Sequence, residues 1–297
     1  MPELDLRPVT GTIGAVVAGV DLRGGVDDAL AAALHEALLE HLVLFLPEQH
    51  LSDEDHIALA EAMGTPNVNP NSVARGIEHP LEWIEDTPSS PPKADLWHTD
   101  VAYSPTPPDI GILCHVTTPD AGGDTMWANL YAAHDLLSPT MQSIVGALRQ
   151  EVHPGEGLRE TLRMQFGDGV WESVTEMYQG ASHPLVRVHP ETGRRALYLC
   201  GAYFRGIEGL TEAESEAIMS VLRQVVLEPG LQCRWRWTEG DVAIWDERCT
   251  NHRGLGDHFP RHRVVRRCTV GSSAPFGPGD AGIGEMDENA PMVGAGR

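Results

Sequence analysis

The sequence predicts a mainly β fold with flanking helices, a β-sandwich or jelly roll with helical additions. Three observations carry this expectation. The stretches with strand character are short and separated by turn residues. The helical patterns sit in flanks and inserts rather than alternating regularly with strands. No segment repeats another.

In chain order, residues 1–10 read as a short lead-in strand. Asp27–His41 places Leu30, Leu34, Leu38 and Leu39 at helical spacing, and Leu42–Leu46 is an apolar run stopped by Pro47, a buried strand. Ser52 reads as the N-cap of the next helix, with Asp55 at its third position. Residues 64–97 are rich in Pro, Asn and Ser and read as loops, a candidate lid over a site. Ile110–Thr117 and Thr125–Asn129 read as strands joined by a Gly-rich turn. Leu130–Leu137 and Pro139–Leu148 read as helices, the second capped by Ser138. Residues 153–182 read as a helical or looped insertion, and Arg195–Cys200 as a strand. Thr211 and Glu214 form a capping box that opens a helix to about Leu227. Gln232–Trp237, Asp241–Trp245 and Val264–Val270 read as three strands of one sheet. One domain over residues 1–275 is expected, followed by a poorly ordered Gly- and Pro-rich tail, 276–297.

At 297 residues the chain can bury a sizeable core. Its net charge of −22 argues against nucleic acid and anionic membrane surfaces. No apolar run is long enough to span a bilayer, and the N-terminus lacks a basic-then-apolar pattern. Five scattered cysteines without a C-x-x-C pair read as reduced thiols of a cytoplasmic protein.

The candidate chemistry centres on Trp97-His98-Thr99-Asp100. On a strand, residues i and i+2 share a face, so His98 and Asp100 would project together. An imidazole and a carboxylate converging on one point are two-thirds of a facial triad for non-haem Fe(II), and His252 in Ile244-Trp245-Asp246-Glu247-Arg248-Cys249-Thr250-Asn251-His252 supplies a third ligand. Arg248, Arg253, Arg261, Arg263, Arg266 and Arg267 crowd around His252 in a chain whose one lysine is Lys93. A cationic funnel of this kind suits small anions. Strand alternation puts Arg263, Val265 and Arg267 on one face and Arg266 on the other. Planar guanidinium groups hold carboxylate- or sulfonate-like oxygens by two parallel bonds.

These pieces, with Gly122-Gly123-Asp124-Thr125-Met126-Trp127, His183-Pro184-Leu185-Val186-Arg187 and His189-Pro190-Glu191-Thr192-Gly193-Arg194, occur in an order that resembles the taurine dioxygenase/TfdA family of Fe(II)- and 2-oxoglutarate-dependent dioxygenases. The resemblance implies a double-stranded β-helix core and His98, Asp100 and His252 as Fe(II) ligands. It implies 2-oxoglutarate as cosubstrate, anchored by Arg263 with Thr125, and O2 as oxidant. It implies Arg267 as the anchor of a small anionic substrate. With Asp100 present, hydroxylation with release of succinate and CO2 is the expected outcome. Tyr103, Tyr203 and Phe204 are expected to line the substrate pocket. Asn69 and Ser72 align where taurine-binding members carry His and Tyr, and Ala94 replaces an Asn, so another anion is expected: a sulfonate, sulfate ester, aryloxyalkanoate, phosphonate or amino-acid-like carboxylate. A homo-oligomer, dimer or tetramer, is expected. His115, His134, His153, His183 and His189 are expected to be structural, with Trp245 and Asp246 supporting the site from behind. A zinc hydrolase using the same three ligands and a non-catalytic metal-binding sensor or carrier remain as alternatives.

Overall fold

The computed structural model describes residues 2–92 and 95–280. Its elements are β1 (Asp5–Pro8), β2 (Ala15–Ala18), α1 (Asp28–His41), β3 (Val43–Leu46), α2 (Asp53–Met63), β4 (Pro66–Asn67), α3 (Pro70–Val73) and β5 (Glu82–Asp86). Then come β6 (Ile110–Thr117), β7 (Thr125–Asn129), α4 (Leu130–Asp135), α5 (Pro139–Gly146), β8 (Arg149–Val152), α6 (Gly155–Phe166), α7 (Asp168–Met177) and β9 (Ala181–Pro184). The chain ends with β10 (Val186–Val188), β11 (Arg195–Leu197), β12 (Phe204–Ile207), α8 (Glu212–Val226), β13 (Gln232–Trp235), β14 (Val242–Asp246), β15 (Thr250–Gly254) and β16 (Arg263–Val270).

Side-chain alternation along the central strands explains the layering. An eight-stranded sheet runs β1-β2-β3-β14-β6-β16-β4, with β5 also paired to β16. Phe45, Ala243, Trp245 and Val265 point from it into one core, which they share with Trp127, Ala128 and Cys233 of the three-stranded sheet β13-β7-β15. The intervening Leu44, Leu46, Val242, Ile244, Cys268 and Val270 point the other way, onto Leu34 and Leu38 of α1 and Leu59 and Ala60 of α2. Both faces are apolar because both are covered. Two facing sheets make the double-stranded β-helix, and α1 and α2 close its outer side. Each buried Leu or Phe contributes about 1.5–3 kcal/mol of burial.

Helix starts follow local chemistry. Ser52 and Asp55 exchange the two bonds of a capping box, as do Thr211 and Glu214. Asp27 accepts from the Leu30 N–H, and Ser138 from the Met141 N–H ahead of Pro139.

Several expectations need correction. Gln232–Trp235 pairs with β7 in the smaller sheet rather than beside β14 and β16. β6 and β7 also lie in different sheets, so the turn between them crosses the barrel. The 64–97 stretch is not only loop: β5 pairs in register with β16 over Glu82–Asp86, because that segment has alternating burial despite its charges. Of the two forms expected for the 153–182 insertion the chain takes the helical one, as α6 and α7, which pack against each other around a satellite core of Tyr103, Leu162, Val170 and Val174. The Phe276 carbonyl accepts from the Val188 N–H, so the start of the 276–297 segment docks on β10; residues 281–297 lie outside the described residues.

Candidate active site

His98 and Asp100 do not lie on a regular strand, as their spacing suggested. His98 forms an isolated bridge with His252 on β15, and Asp100 enters a turn in which Val101 has φ 49. The expected convergence still occurs. The imidazole Nε2 atoms of His98 and His252 lie 3.6 and 3.9 Å from Oδ1 of Asp100, and the three ligand atoms lie within 4.8 Å of one another. These separations are too long for hydrogen bonds. Nδ1–H of His98 donates to the Leu96 carbonyl at 2.8 Å, which leaves its Nε2 lone pair facing the cluster. Burial and the adjacent His98 pull His252 down to about 3, so its ring is neutral at neutral pH. Burial would raise the Asp100 carboxyl, but the Arg267 guanidinium holds it well below the usual range. Two imidazoles and one carboxylate, converging without satisfying one another, form a donor set that fits a divalent non-haem metal.

The surroundings fix this set in place. Glu247, wholly buried, receives Nε1–H of Trp245 on Oε1 at 2.7 Å and the Asp100 N–H on Oε2 at 3.2 Å. Burial and the Asp100 charge push its carboxyl well above the usual range. The Trp245 indole lies across Gly111 of β6, where an added Cβ would come within 2.2 Å of the ring. Asn251 donates to Thr99 Oγ1 at 2.8 Å and the Leu199 carbonyl at 3.0 Å, tying β15 to the His98 segment. Gly201, at φ +59, sits so close that a Cβ would meet the Trp97 carbonyl at 2.5 Å. Nε2 of His183 lies 3.0 Å from the carbonyls of Ala102 and Ser104, holding the turn after Asp100.

A second cluster gathers around Arg263. The guanidinium is buried, and its Nη1 lies 3.3 Å from Asp86 Oδ2, which is also 3.3 Å from Nε2 of His258. Its Nε has no hydrogen-bond partner, nor has Nε2 of nearby His115. The His115 ring stacks on Trp237 at 4.9 Å, and the Trp237 indole N–H donates to Thr125 Oγ1 at 3.0 Å. Buried donors left unpaired are costly, so this cluster fits an additional carboxylate. Thr125 and His252 lie on paired strands, Thr125 opposite Gly254 and His252 opposite Trp127, so one member of each cluster stands on the same small sheet, while Arg263, Asp86 and His115 come from the larger one.

Arg267 is not the free cation that the sequence suggested. Its Nη1 donates to both oxygens of Asp100, at 2.7 and 2.6 Å, and its Nη2 and Nε donate to Glu82 Oε2 at 2.7 and 3.2 Å. The expected open cationic funnel is largely neutralised. Arg248 pairs with Asp246 and Glu191, Arg253 with Asp95, and Arg266 with Asp53. The face alternation holds: Arg266 packs outward toward α2, whereas Arg263 and Arg267 face inward with Val265. Strand parity can be read from the chain; acids arriving from β5 cannot, because their pairing depends on register between distant segments.

A cavity of about 790 Å³ opens on the cluster, lined by His98, Asp100, Asn69, Tyr103 and Arg267 together with Leu96, Val101, Leu158, Trp171 and Tyr203. Asn69 and Tyr103 thus line the cavity that opens on the cluster. Phe204 does not: it packs against the main core and under Arg223, while its neighbour Tyr203 faces the cavity, because the chain turns from the short helix Gly201–Tyr203 into β12 at this point. Ser72 is buried on α3, and Ala94 lies outside the described residues. Glu82, Asp86, Glu247 and Trp171 were not singled out as site residues. His189, Asp246 and Cys249 also cluster. There His189 Nε2 bonds Asp246, its Nδ1 receives two backbone N–H groups, and Arg248 chelates Asp246, so the donor atoms are already used.

The pattern of the family described as "Taurine catabolism dioxygenase TauD, TfdA family" matches residues 5–269. The chain belongs to the TauD/TfdA family. It is a 2-oxoglutarate-dependent dioxygenase. It is 36% identical over 290 residues to an alkylsulfatase of Acinetobacter baylyi, covering 93% of this chain and 87% of the relative. It is 36% identical over 281 residues to an alpha-ketoglutarate-dependent sulfate ester dioxygenase of Pseudomonas putida, covering 93% and 92%. A taurine dioxygenase structure from Burkholderia xenovorans superposes with a TM-score of 0.78 at 32% identity, covering 93% and 94%. No helix among the described residues is long and apolar enough to cross a membrane.

Proposed function

We propose that this family member hydroxylates an organic sulfate ester at the carbon bearing the sulfate. The observation that carries the reading is Arg267, a guanidinium beside Asp100 in a cavity of about 790 Å³ whose other walls mix apolar Leu96, Val101, Leu158 and Trp171 with polar Asn71, His153 and Arg205. That volume lies within the range of pockets for drug-sized ligands and exceeds what taurine's ethyl body would fill. The likeness to the alkylsulfatase and the sulfate ester dioxygenase supports the same choice.

In this reading His98, Asp100 and His252 hold Fe(II), and Arg263 with Thr125 holds the distal carboxylate of 2-oxoglutarate. Fe(II) with 2-oxoglutarate and O2 supplies the oxidation that removes a substrate C–H hydrogen and returns a hydroxyl, leaving succinate and CO2. The chain's own groups do the positioning. Leu96–His98 and Asn251–Thr99 bonds fix the ligand rings, Glu247 fixes the Asp100 backbone, and Arg267 orients the anionic head so that the adjacent carbon faces the cluster. Tyr103 and Asn69 border the same space, and Trp171 and Tyr203 offer aromatic surface to the organic body. Hydroxylation at a carbon that carries sulfate gives a geminal hydroxy-sulfate, which expels sulfate to leave an aldehyde. The five cysteines are free and buried, which supports a reducing compartment such as the cytoplasm.

The test is substrate-stimulated succinate formation with n-hexyl sulfate, n-hexanesulfonate, 2-phenoxypropionate and taurine. The sulfate ester should stimulate most, releasing hexanal and sulfate in step with succinate. Stimulation by 2-phenoxypropionate alone would transfer the assignment to aryloxyalkanoates, the class named for the relative from Delftia acidovorans at 32% identity.

A further inference from the structure

We propose that Glu82 sets the affinity of the site for its anionic substrate by occupying, with its own carboxylate, the edge of Arg267 that the substrate's anion uses. This rests on the reading of Arg267 as the substrate anchor. One oxygen of Glu82, Oε2, receives Nη2–H of Arg267 at 2.7 Å, Nε–H of Arg267 at 3.2 Å and Nδ2–H of Asn69 at 3.3 Å. Three donors, two from Arg267 on β16 and one from Asn69, which caps α3, thus converge on a single oxyanion position at the margin of the cavity. The Nε/Nη2 edge of a guanidinium is one that makes two parallel bonds to an oxyanion. Nη1 is already committed to both oxygens of Asp100. A sulfate oxygen therefore meets Arg267 and Asn69 together only by taking the place of Glu82 Oε2.

The arrangement is built into the sheet. The β5–β16 register sets Glu82 opposite Arg267, so the acid is delivered by backbone pairing. The pair is not sealed: the side chains are 16% and 23% exposed, and Glu82 can leave by rotating its own side chain while the ladder stays intact. Glu82 and an incoming anion carry charge of the same sign and compete for the same edge of one guanidinium, so the anion gains that edge only as Glu82 withdraws. A merely orienting Glu82 makes the opposite prediction, since its loss would let Arg267 drift and weaken binding.

The experiment is calorimetric titration of the Fe(II)- and 2-oxoglutarate-loaded protein, without oxygen, with n-hexyl sulfate and with 1-hexanol as an uncharged probe. Glu82→Gln and Glu82→Ala should each bind n-hexyl sulfate about tenfold more tightly than the wild type, with 1-hexanol binding unchanged. Binding no tighter than wild type in both variants overturns the proposal, as does equal tightening for 1-hexanol. Absence of measurable binding in every protein also counts against it, whereas binding by the variants alone supports it. Arg267→Leu separates the two layers. If it binds n-hexyl sulfate like the wild type, the anchor reading itself fails. If it binds at least tenfold more weakly while the Glu82 variants show no gain, only the role of Glu82 fails.

Discussion

His98 and His252 exchange both backbone hydrogen bonds: the N–H of each donates to the carbonyl of the other, at 3.0 and 2.9 Å. Their rings come to 4.2 Å between centroids, tilted by 48°. The loop that carries His98 is therefore aligned with β15 by main-chain pairing, and the rings need little side-chain freedom to converge. That order should make the metal site a preorganised one.

His98→Ala should abolish stoichiometric Fe(II) binding at micromolar metal, and His189→Ala should retain it. The second ring only bridges Asp246 and the 191–192 backbone, so its loss should appear as a lower Tm. Anaerobic titration with Fe(II) and 2-oxoglutarate, followed by the visible charge-transfer band, reads both. A normal band in His98→Ala would refute the ligand assignment.

Arg263→Leu should raise the KM for 2-oxoglutarate roughly a hundredfold, because an unpaired buried carboxylate costs about 3 kcal/mol or more. The same change strands Asp86, which otherwise contacts Arg263 and His258. Adding Asp86→Asn should thus recover Tm without recovering KM. An unchanged KM in the single variant would remove Arg263 from the cosubstrate site.

Tyr203→Ala should raise the KM for the primary substrate, since this ring faces the cavity. Phe204→Ala should leave that KM alone and lower stability by about 2 kcal/mol, as expected for a partly buried aromatic. Steady-state kinetics and urea unfolding on the pair decide the matter, and a reversed pattern would restore Phe204 to the pocket.

Stability of the metal-free protein should decline on acidification below about pH 6.5. Burial pulls both His56 and His183 down to about 4. A histidine with a folded pKa below its unfolded value of about 6.5 binds fewer protons folded than unfolded between those values. Its contribution is therefore complete above the upper value and fades as pH falls toward the lower. His56→Leu should flatten the slope by about 1.4 kcal/mol per pH unit in that window. Urea midpoints from pH 7.5 to 4.5, parallel in wild type and variant, would show the ring plays no such part.

Much of this site was legible in the chain because its signals are local. Helix caps at Ser52, Ser138 and Thr211 are set by neighbours within three residues. The parity of Arg263, Arg266 and Arg267 follows from strand geometry alone. The partners of those arginines were hidden because Glu82, Asp86 and Asp53 reach them through pairing and packing between remote segments. That Phe204 leaves the cavity while Tyr203 lines it turns on a one-residue change of direction after Gly201–Tyr203, which residue periodicity does not mark. Glu247 was concealed in a motif whose flanking residues drew the chemistry.

The helices α6 and α7 contribute Leu158 and Trp171 to the cavity wall, yet they pair with no strand and pack around their own small core. One part of the substrate wall thus sits on an inserted helix pair, whereas His98, Asp100 and His252 sit on β15 and the loop paired to it. A change in residues 155–177 alters the wall at Leu158 and Trp171 while leaving His98, Asp100 and His252 on their own segments. In evolutionary terms, such a wall lets substrate range diversify at small cost to the scaffold.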